Sequence, residues 1–252
     1  VRLADLTAGE TPEDALLSCL NERTRLLSIS SVQFGNGLRM ELNQIGEACR
    51  AHGTLFCVDA IQSLGAEPFD VQPCGADFVT ADGHKWMLGP EGVALFYCKP
   101  ERREKLRLNQ FGWHMVQHQN DYDRLDWQPA HSARRFECGS PNNMGIHALS
   151  ASLELIQETG IKAIHQLISN HVTYLQDHLI DLGFNSLTPR GLNRRIGIIT
   201  CRHPQKDTGV LYEALQAAGV LCALRTGGIR FSPHFYTSRE SLDRALSTLA
   251  KC

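Results

Sequence analysis

The sequence predicts an α/β protein: a mostly parallel sheet with flanking helices, followed by a smaller α+β unit. Three observations carry this. Two short apolar runs, Thr54–Val58 and Asp77–Ala81, have the length and closed composition of buried strands. The first ends on Asp59 and the second leads into Lys85, which places both charges at the carboxyl edge of a sheet, where open α/β folds bind ligands. Between an earlier strand-like run and Thr54, apolar residues recur at Leu42, Ile45, Ala48 and Cys49, a helical spacing that supplies a β-α-β order.

In chain order, Arg25–Val32 reads as a buried strand and Gly35-Asn-Gly37 as a turn. The helix from Leu42 to Ala51 is stopped by Gly53. Strands Thr54–Val58 and Asp77–Ala81 follow, and Gly92–Cys98 forms another, with at least one strand reversed. Residues 104–140 are polar, dotted with aromatics and without period; a loop of that length is usually functional. From Asn143 to Leu182 the pattern is helical, interrupted near Gly160. The tail reads strand (Arg195–Cys201), helix (Asp207–Ala218), strands (Val220–Leu224 and Ile229–Ser232) and helix (Ser238–Leu249). We expect a large domain over residues 1–158 and a small α+β domain over 159–252.

Composition excludes several classes. A formal net charge of −2 gives no bulk attraction to nucleic acid or to an anionic membrane, and no apolar stretch has the length of a membrane span. The nine cysteines include no C-x-x-C pair, and several sit in apolar runs as small hydrophobes, which fits a reducing cytoplasmic compartment. Neither they nor the eleven histidines show the ligand spacing of a metal site. A nucleotide-binding reading fails for want of a glycine-rich phosphate loop.

One acid and one lysine at a sheet edge fit pyridoxal phosphate chemistry: the lysine forms a Schiff base and the acid keeps the pyridine nitrogen protonated. A lysine more often snorkels at the surface, but Lys85 is held between Gly83 and the Gly89-Pro90 turn. An aspartate at a strand–helix junction is also commonly a helix cap. The expectation is that Lys85 and Asp59 face one pocket.

Five segments in order, Val58-Asp-Ala-Ile-Gln-Ser63, Gly83-His-Lys85, Gly89-Pro-Glu-Gly92, Phe136–Asn142 and Gly228–Tyr236, resemble the class V aminotransferase family of fold-type I pyridoxal phosphate enzymes, from about Leu26 onward. The resemblance implies a fold-type I large domain, pyridoxal phosphate as cofactor, a small amino acid or amine as substrate, and a homodimer. It assigns Lys85 as the catalytic Schiff-base lysine, Asp59 to the pyridine nitrogen, Gln62 to the ring's phenolic oxygen and His84 to the phosphate. Gly139 and Ser140 match the segment that reaches the partner's phosphate. Arg230 matches the arginine for the substrate carboxylate, with Arg225 a second candidate. The aromatic segment Phe111–Trp127 is expected to cover the site mouth, with Trp113 or His114 near substrate.

Three departures from the family pattern narrow this. Cysteine desulfurases carry a nucleophilic cysteine on a long loop, whereas Leu224-Arg-Thr-Gly-Gly-Ile-Arg230 is short and has none, so that activity is not expected. Asp82 stands where the family often has a phosphate-binding serine, and Phe34 where it has an asparagine, with Gln33 or Asn36 as substitutes. The phosphate cup and ring-stacking aromatic that lie upstream in the family have no match in the first twenty-five residues, as if a first portion were missing. An inactive or incomplete scaffold, or an epimerase or lyase of the same family, is the alternative reading.

Overall fold

The computed structural model describes residues 1–252. Its first unit is a four-stranded sheet made of β1 (Leu26–Ser30), β2 (Leu55–Asp59), β3 (Phe78–Asp82) and β4 (Ala94–Cys98), in that spatial order. The first three strands are parallel, and β4 runs antiparallel to β3, in agreement with the expectation of at least one reversed strand. A short helix, α1 (Pro12–Leu17), precedes β1, capped by the Thr11 side chain on the Asp14 amide.

Helix α2 (Leu42–His52) crosses between β1 and β2. It buries Ile45, Gly46 and Cys49 on one face and ends on Gly53 in the left-handed region, the common glycine stop for a helix. A further short helix, α3 (Val71–Cys74), leads into β3, and α4 (Pro100–Arg103) follows β4. The core of this unit contains Leu27, Ile45, Phe56, Val58, Val79 and Ala81. The strand residues among them alternate with Leu26, Ser28, Ser30, Cys57, Asp59, Phe78, Thr80 and Asp82, which point to the other face because strand side chains alternate. That second face is open: Leu26 is 51% and Phe96 45% exposed.

Two long helices, α5 (Asn143–Thr159) and α6 (Ile161–Asp181), follow the irregular segment and are broken at Gly160 as the sequence predicts. The second unit is a sheet of β5 (Asn185–Ser186), β6 (Ile199–Arg202), β7 (Ala223–Arg225) and β8 (Gly228–Phe231), ordered β5-β6-β8-β7 and antiparallel throughout. Helices α7 (Thr208–Ala217) and α8 (Arg239–Lys251) complete it. Leu175, Leu179, Ile199, Ile229, Leu211 and Leu246 share its core.

The two cores divide inside α6. Ile164 and Ile168 belong to the first cluster, whereas Val172, Leu175 and Leu179 belong to the second. Full burial of such side chains contributes about 1.5–3 kcal/mol each, so one helix holds both units. Hydrogen bonds join the units as well. Thr200 Oγ1 donates to the Gly35 carbonyl at 2.7 Å, and both Arg194 Nη atoms lie 3.0 Å from the Glu13 carboxylate. No helix is long and apolar enough to cross a membrane, and all nine cysteines are free.

Candidate active site

The carboxyl edge of the first sheet meets β8 and the segment after it in a cavity of about 430 Å³. Lys85 reaches it from the loop after β3, through Gly83 and His84. Gln62 comes from the turn after β2, and Arg225, Arg230 and His234 come from the second unit. The structure therefore brings Lys85, Gln62, Arg225 and Arg230 together, although the last two lie far along the chain from the first two.

Trp86, the residue after Lys85, organises one wall and was not singled out by sequence. Its indole Nε1 donates to Gln62 Oε1 at 2.9 Å. That bond fixes the amide: the oxygen is engaged, and the Nε2 donor end is left for the cavity. Gln62 and Trp86 are both buried, at 6% and 5% exposure. His234 stacks on the indole with ring centroids 5.1 Å apart, and its Nε2 lies 3.1 Å from the Trp86 carbonyl. Its Nδ1 accepts the Phe235 amide at 2.9 Å, so the network assigns the Nε2–H tautomer. Burial lowers the His234 pKa, opposed by the bond to the Trp86 carbonyl.

Two glycines make room for this wall. At Gly65 (φ +93°) an added Cβ would lie 2.3 Å from the Trp86 carbonyl oxygen, and at Gly197 (φ +60°) one would lie 2.4 Å from the indole. Both the positive φ and the close approach require glycine. Only the three-dimensional contact reveals why these glycines and Trp86 belong together, since they are distant in sequence.

Arg230 is half-buried and donates through Nη1 to the Phe34 carbonyl at 2.9 Å. Its Nε is buried without a partner. Burial, and then the charge of Arg225, lower its pKa. The Phe34 side chain lines the same cavity, whereas Gln33 turns back to the Ser30 carbonyl and Asn36 accepts the Leu38 amide. Neither polar residue stands in for the family asparagine at the cavity wall.

The remaining predicted residues lie outside that cavity. Asp59, on the open face, accepts the Ile61 amide through Oδ1 at 3.0 Å and the Ser30 hydroxyl through Oδ2 at 3.2 Å. It shares the carboxyl edge with Lys85 but does not line the Lys85 cavity. Asp82 and His84 are exposed. Gly139 and Ser140 are exposed too, and a Cβ at Gly139 would meet nothing within 4 Å. The Phe111–Trp127 segment packs on itself: Phe111 stacks edge-on with Trp127 at 5.5 Å, and Met115 and Ala130 are buried beneath it. Neither Trp113 nor His114 lines the Lys85 cavity.

The fit to pyridoxal phosphate is favourable on the substrate side. An amine, an amide donor held by its other end and a guanidinium with no carboxylate partner share one cavity. His84, Gly139 and Ser140, which the resemblance assigns to phosphate, do not line that cavity.

The sequence pattern of the family described as Aminotransferase class-V matches residues 1–244. The chain is 27% identical over 243 residues to the uncharacterized aminotransferase YcbU of Bacillus subtilis, covering 96% of this chain and 63% of that one. It is 29% identical over 267 residues to a cysteine desulfurase of Yersinia pestis, covering all of this chain and 64% of the relative. Among solved structures, an apo cysteine desulfurase from Thermococcus onnurineus superposes with a TM-score of 0.86 at 22% identity, over 96% of this chain and 63% of that one. A C-DES mutant with glycine covalently linked to its pyridoxal phosphate gives 0.85 at 23% identity, over 94% and 63%. These bear out the α/β fold of the fold-type I enzymes. The desulfurases among them weigh against excluding that activity from sequence alone. This chain spans about 63% of the length of such relatives. With the family pattern covering nearly its whole length, the chain belongs to the class V aminotransferase family, whose cofactor is pyridoxal phosphate.

Proposed function

We propose that the chain is the lysine-bearing part of a pyridoxal phosphate enzyme that acts at the α-carbon of a small amino acid, in the manner of class V aminotransferases. The observation that carries this is the shared cavity of Lys85, Gln62 and Arg230. The cofactor, when bound, supplies an electron sink conjugated to the substrate amine. Lys85 holds it covalently, and its amine, once released, moves the proton at the substrate α-carbon. Gln62 donates its free amide to the ring oxygen, because Trp86 occupies the other end. Arg230 pairs with the substrate carboxylate through the fork that suits carboxylates. Asp59, held by the Ile61 amide and Ser30, keeps the pyridine nitrogen protonated. His84 contributes to the phosphate from the open side, and Gly139 and Ser140 serve the partner's site in a cytoplasmic homodimer.

Cysteine desulfurase is the second reading, favoured by the relatives named above. Against it, β7 and β8 are joined only through Thr226 and Gly227, and no cysteine lines the cavity. Cys201 is wholly buried, its thiol pushed up to about 12 by burial. Cys222 is also raised by burial and accepts from Gln216. A reactive thiol needs the opposite, a lowered pKa and access.

The test is to load the protein with pyridoxal phosphate, reduce with borohydride and locate the modified residue by mass spectrometry, then assay sulfide release from L-cysteine. Modification at Lys85 without sulfide supports the first reading. Sulfide release abolished by one Cys→Ala substitution establishes the second. No lysine adduct leaves an inactive scaffold.

A further inference from the structure

The cavity beside Lys85 is lined by three cationic side chains, Lys85, Arg225 and Arg230, and by no carboxylate. We propose that it takes an amino acid with a second anionic group on its side chain, the α-carboxylate on Arg230 and the side-chain anion on Arg225. This rests on the pyridoxal phosphate reading and names the substrate class within it.

The geometry comes from one hairpin. In the β7–β8 register, Arg225 stands opposite Gly228 and Arg230 opposite Ala223. Both arginines therefore lie on the same face of the pair, as diagonal neighbours about 7–8 Å apart. The residues opposite them are the small Gly228 and Ala223, so no bulky side chain fills the space between the two guanidiniums. On the other face Ile229 and Phe231 are buried in the core of the second unit, which fixes the strand and hence the direction of Arg230.

The hairpin is also held at its tip. Thr226 and Gly227 have φ of 52° and 74°, the positive-φ pair of a tight two-residue hairpin turn. A β-branched residue in that region is strained. Its hydroxyl packs so closely on Gly35 that a Cβ there would lie 2.4 Å from Thr226 Oγ1. Such strain persists only where surrounding structure holds it, so Arg225 is presented from a fixed turn.

Electrostatics then ask for two anions. Arg230 Nε is buried and unpartnered, and the neighbouring Arg225 opposes its charge. Arg225 makes only a contact to the adjacent Leu224 carbonyl. One α-carboxylate satisfies one fork. A side chain ending in carboxylate, sulfinate or phosphate satisfies the other, whereas a neutral side chain leaves two like charges with a single counter-charge.

The experiment compares L-aspartate, L-glutamate, L-cysteinesulfinate and O-phospho-L-serine with L-asparagine, L-glutamine and L-serine on the cofactor-loaded protein, reading kcat/KM and the cofactor's spectral change. In parallel, calorimetry measures succinate and butyrate binding to cofactor-free protein. We expect at least one acidic substrate to exceed its neutral counterpart by on the order of tenfold to a hundredfold, and succinate to bind more tightly than butyrate. The exposed Arg225→Gln should erase both preferences, lowering use of the acidic compounds far more than use of the neutral ones. The four acidic compounds separate carboxylate, sulfinate and phosphate. Equal use of neutral and acidic substrates, or an Arg225→Gln loss shared equally by both classes or seen as weaker cofactor retention, overturns the proposal. A protein that forms no lysine-bound chromophore overturns the cofactor reading instead, and the succinate–butyrate comparison still decides the arginine pair.

Discussion

Two halves of one sheet edge differ sharply. On the Lys85 side, Gln62, Trp86 and His234 are buried and joined in an unbroken chain of hydrogen bonds and stacked rings. On the Asp59 side, Thr80, Asp82 and His84 are exposed, and the sheet face beneath them is uncovered. Both halves grow from parallel strands with good core residues, so strand quality does not separate them. The difference is what packs beyond the strand ends. The second unit closes the first half, and nothing within these 252 residues closes the other. The Lys85 half of the edge is thus enclosed, while the Asp59 half is left open.

The largest expected effect tests the closed half directly. Lys85→Ala should abolish the visible absorbance of lysine-bound cofactor, with circular dichroism unchanged because Lys85 makes no ion pair whose loss would strand a charge. A borohydride-trapped adduct that survives the substitution would place the anchoring lysine elsewhere and dissolve the contrast between the halves.

Trp86→Phe should come next. Phenylalanine can still stack on His234, but Gln62 Oε1 loses its donor. An abandoned buried acceptor costs about 1–3 kcal/mol, which calorimetry reads as a lower Tm. If the Trp86 bond orients the amide toward the cofactor, the absorbance maximum of loaded protein also shifts, and Gln62→Ala gives the same shift with no further change in the double variant. A lower Tm without a spectral change would confine Trp86 to packing.

His234 makes the closed half sensitive to acid. Its folded pKa lies below the ordinary 6.5 because burial disfavours the charged ring, so the unfolded chain binds the proton more readily. The stability tied to neutral His234 is therefore full above about pH 6.5 and is lost as pH falls below it toward the folded value. Protonation of Nδ1 also removes the acceptor of the Phe235 amide. Unfolding of wild type and His234→Gln should diverge above pH 6.5 and converge below it. Parallel curves would mean that the ring does not titrate on unfolding.

Much of this contrast is legible in sequence, and the reasons for the rest are physical. Lys85 and Asp59 could be named because charges ending short apolar runs sit at a sheet edge, whereas Arg230 could be named only through the family resemblance. The break at Gly160 and the presence of a reversed strand were readable from local pattern. Trp86 was not, since tryptophan beside a lysine is ordinary core material until Gln62 and His234 are seen on either side of it. The division of cores within α6 was hidden too, because a helix keeps the same apolar period whichever unit it packs against. Helix α1 escaped notice because its six residues are too few to show a period. Which sheet face is covered cannot be read from alternation alone: Val58 and Asp59 differ in what packs over them, not in strand geometry.

The smallest effect probes the open half at Asp82. The residue lies on the uncovered face at the end of β3, exposed and without an ion pair, at the position where the family resemblance implies a serine near the cofactor phosphate. A carboxylate cannot donate to phosphate and repels it, but water around an exposed side chain screens most of that repulsion. Replacing Asp82 by serine removes the repulsion and adds a donor, so cofactor affinity should rise only severalfold, by roughly threefold, the size of a solvent-exposed charge effect. Equilibrium dialysis at low salt and again at about 0.5 M salt makes the test specific, because a charge effect shrinks with screening while a new hydrogen bond does not. A gain that survives salt would mean serine's hydroxyl contacts the phosphate. An unchanged affinity at both salts would place Asp82 away from the phosphate and leave the open half without even this one contact. A gain as large as a hundredfold would contradict the exposure of the site, since only a desolvated carboxylate could repel the phosphate that strongly; the open half would then have to close when the cofactor binds.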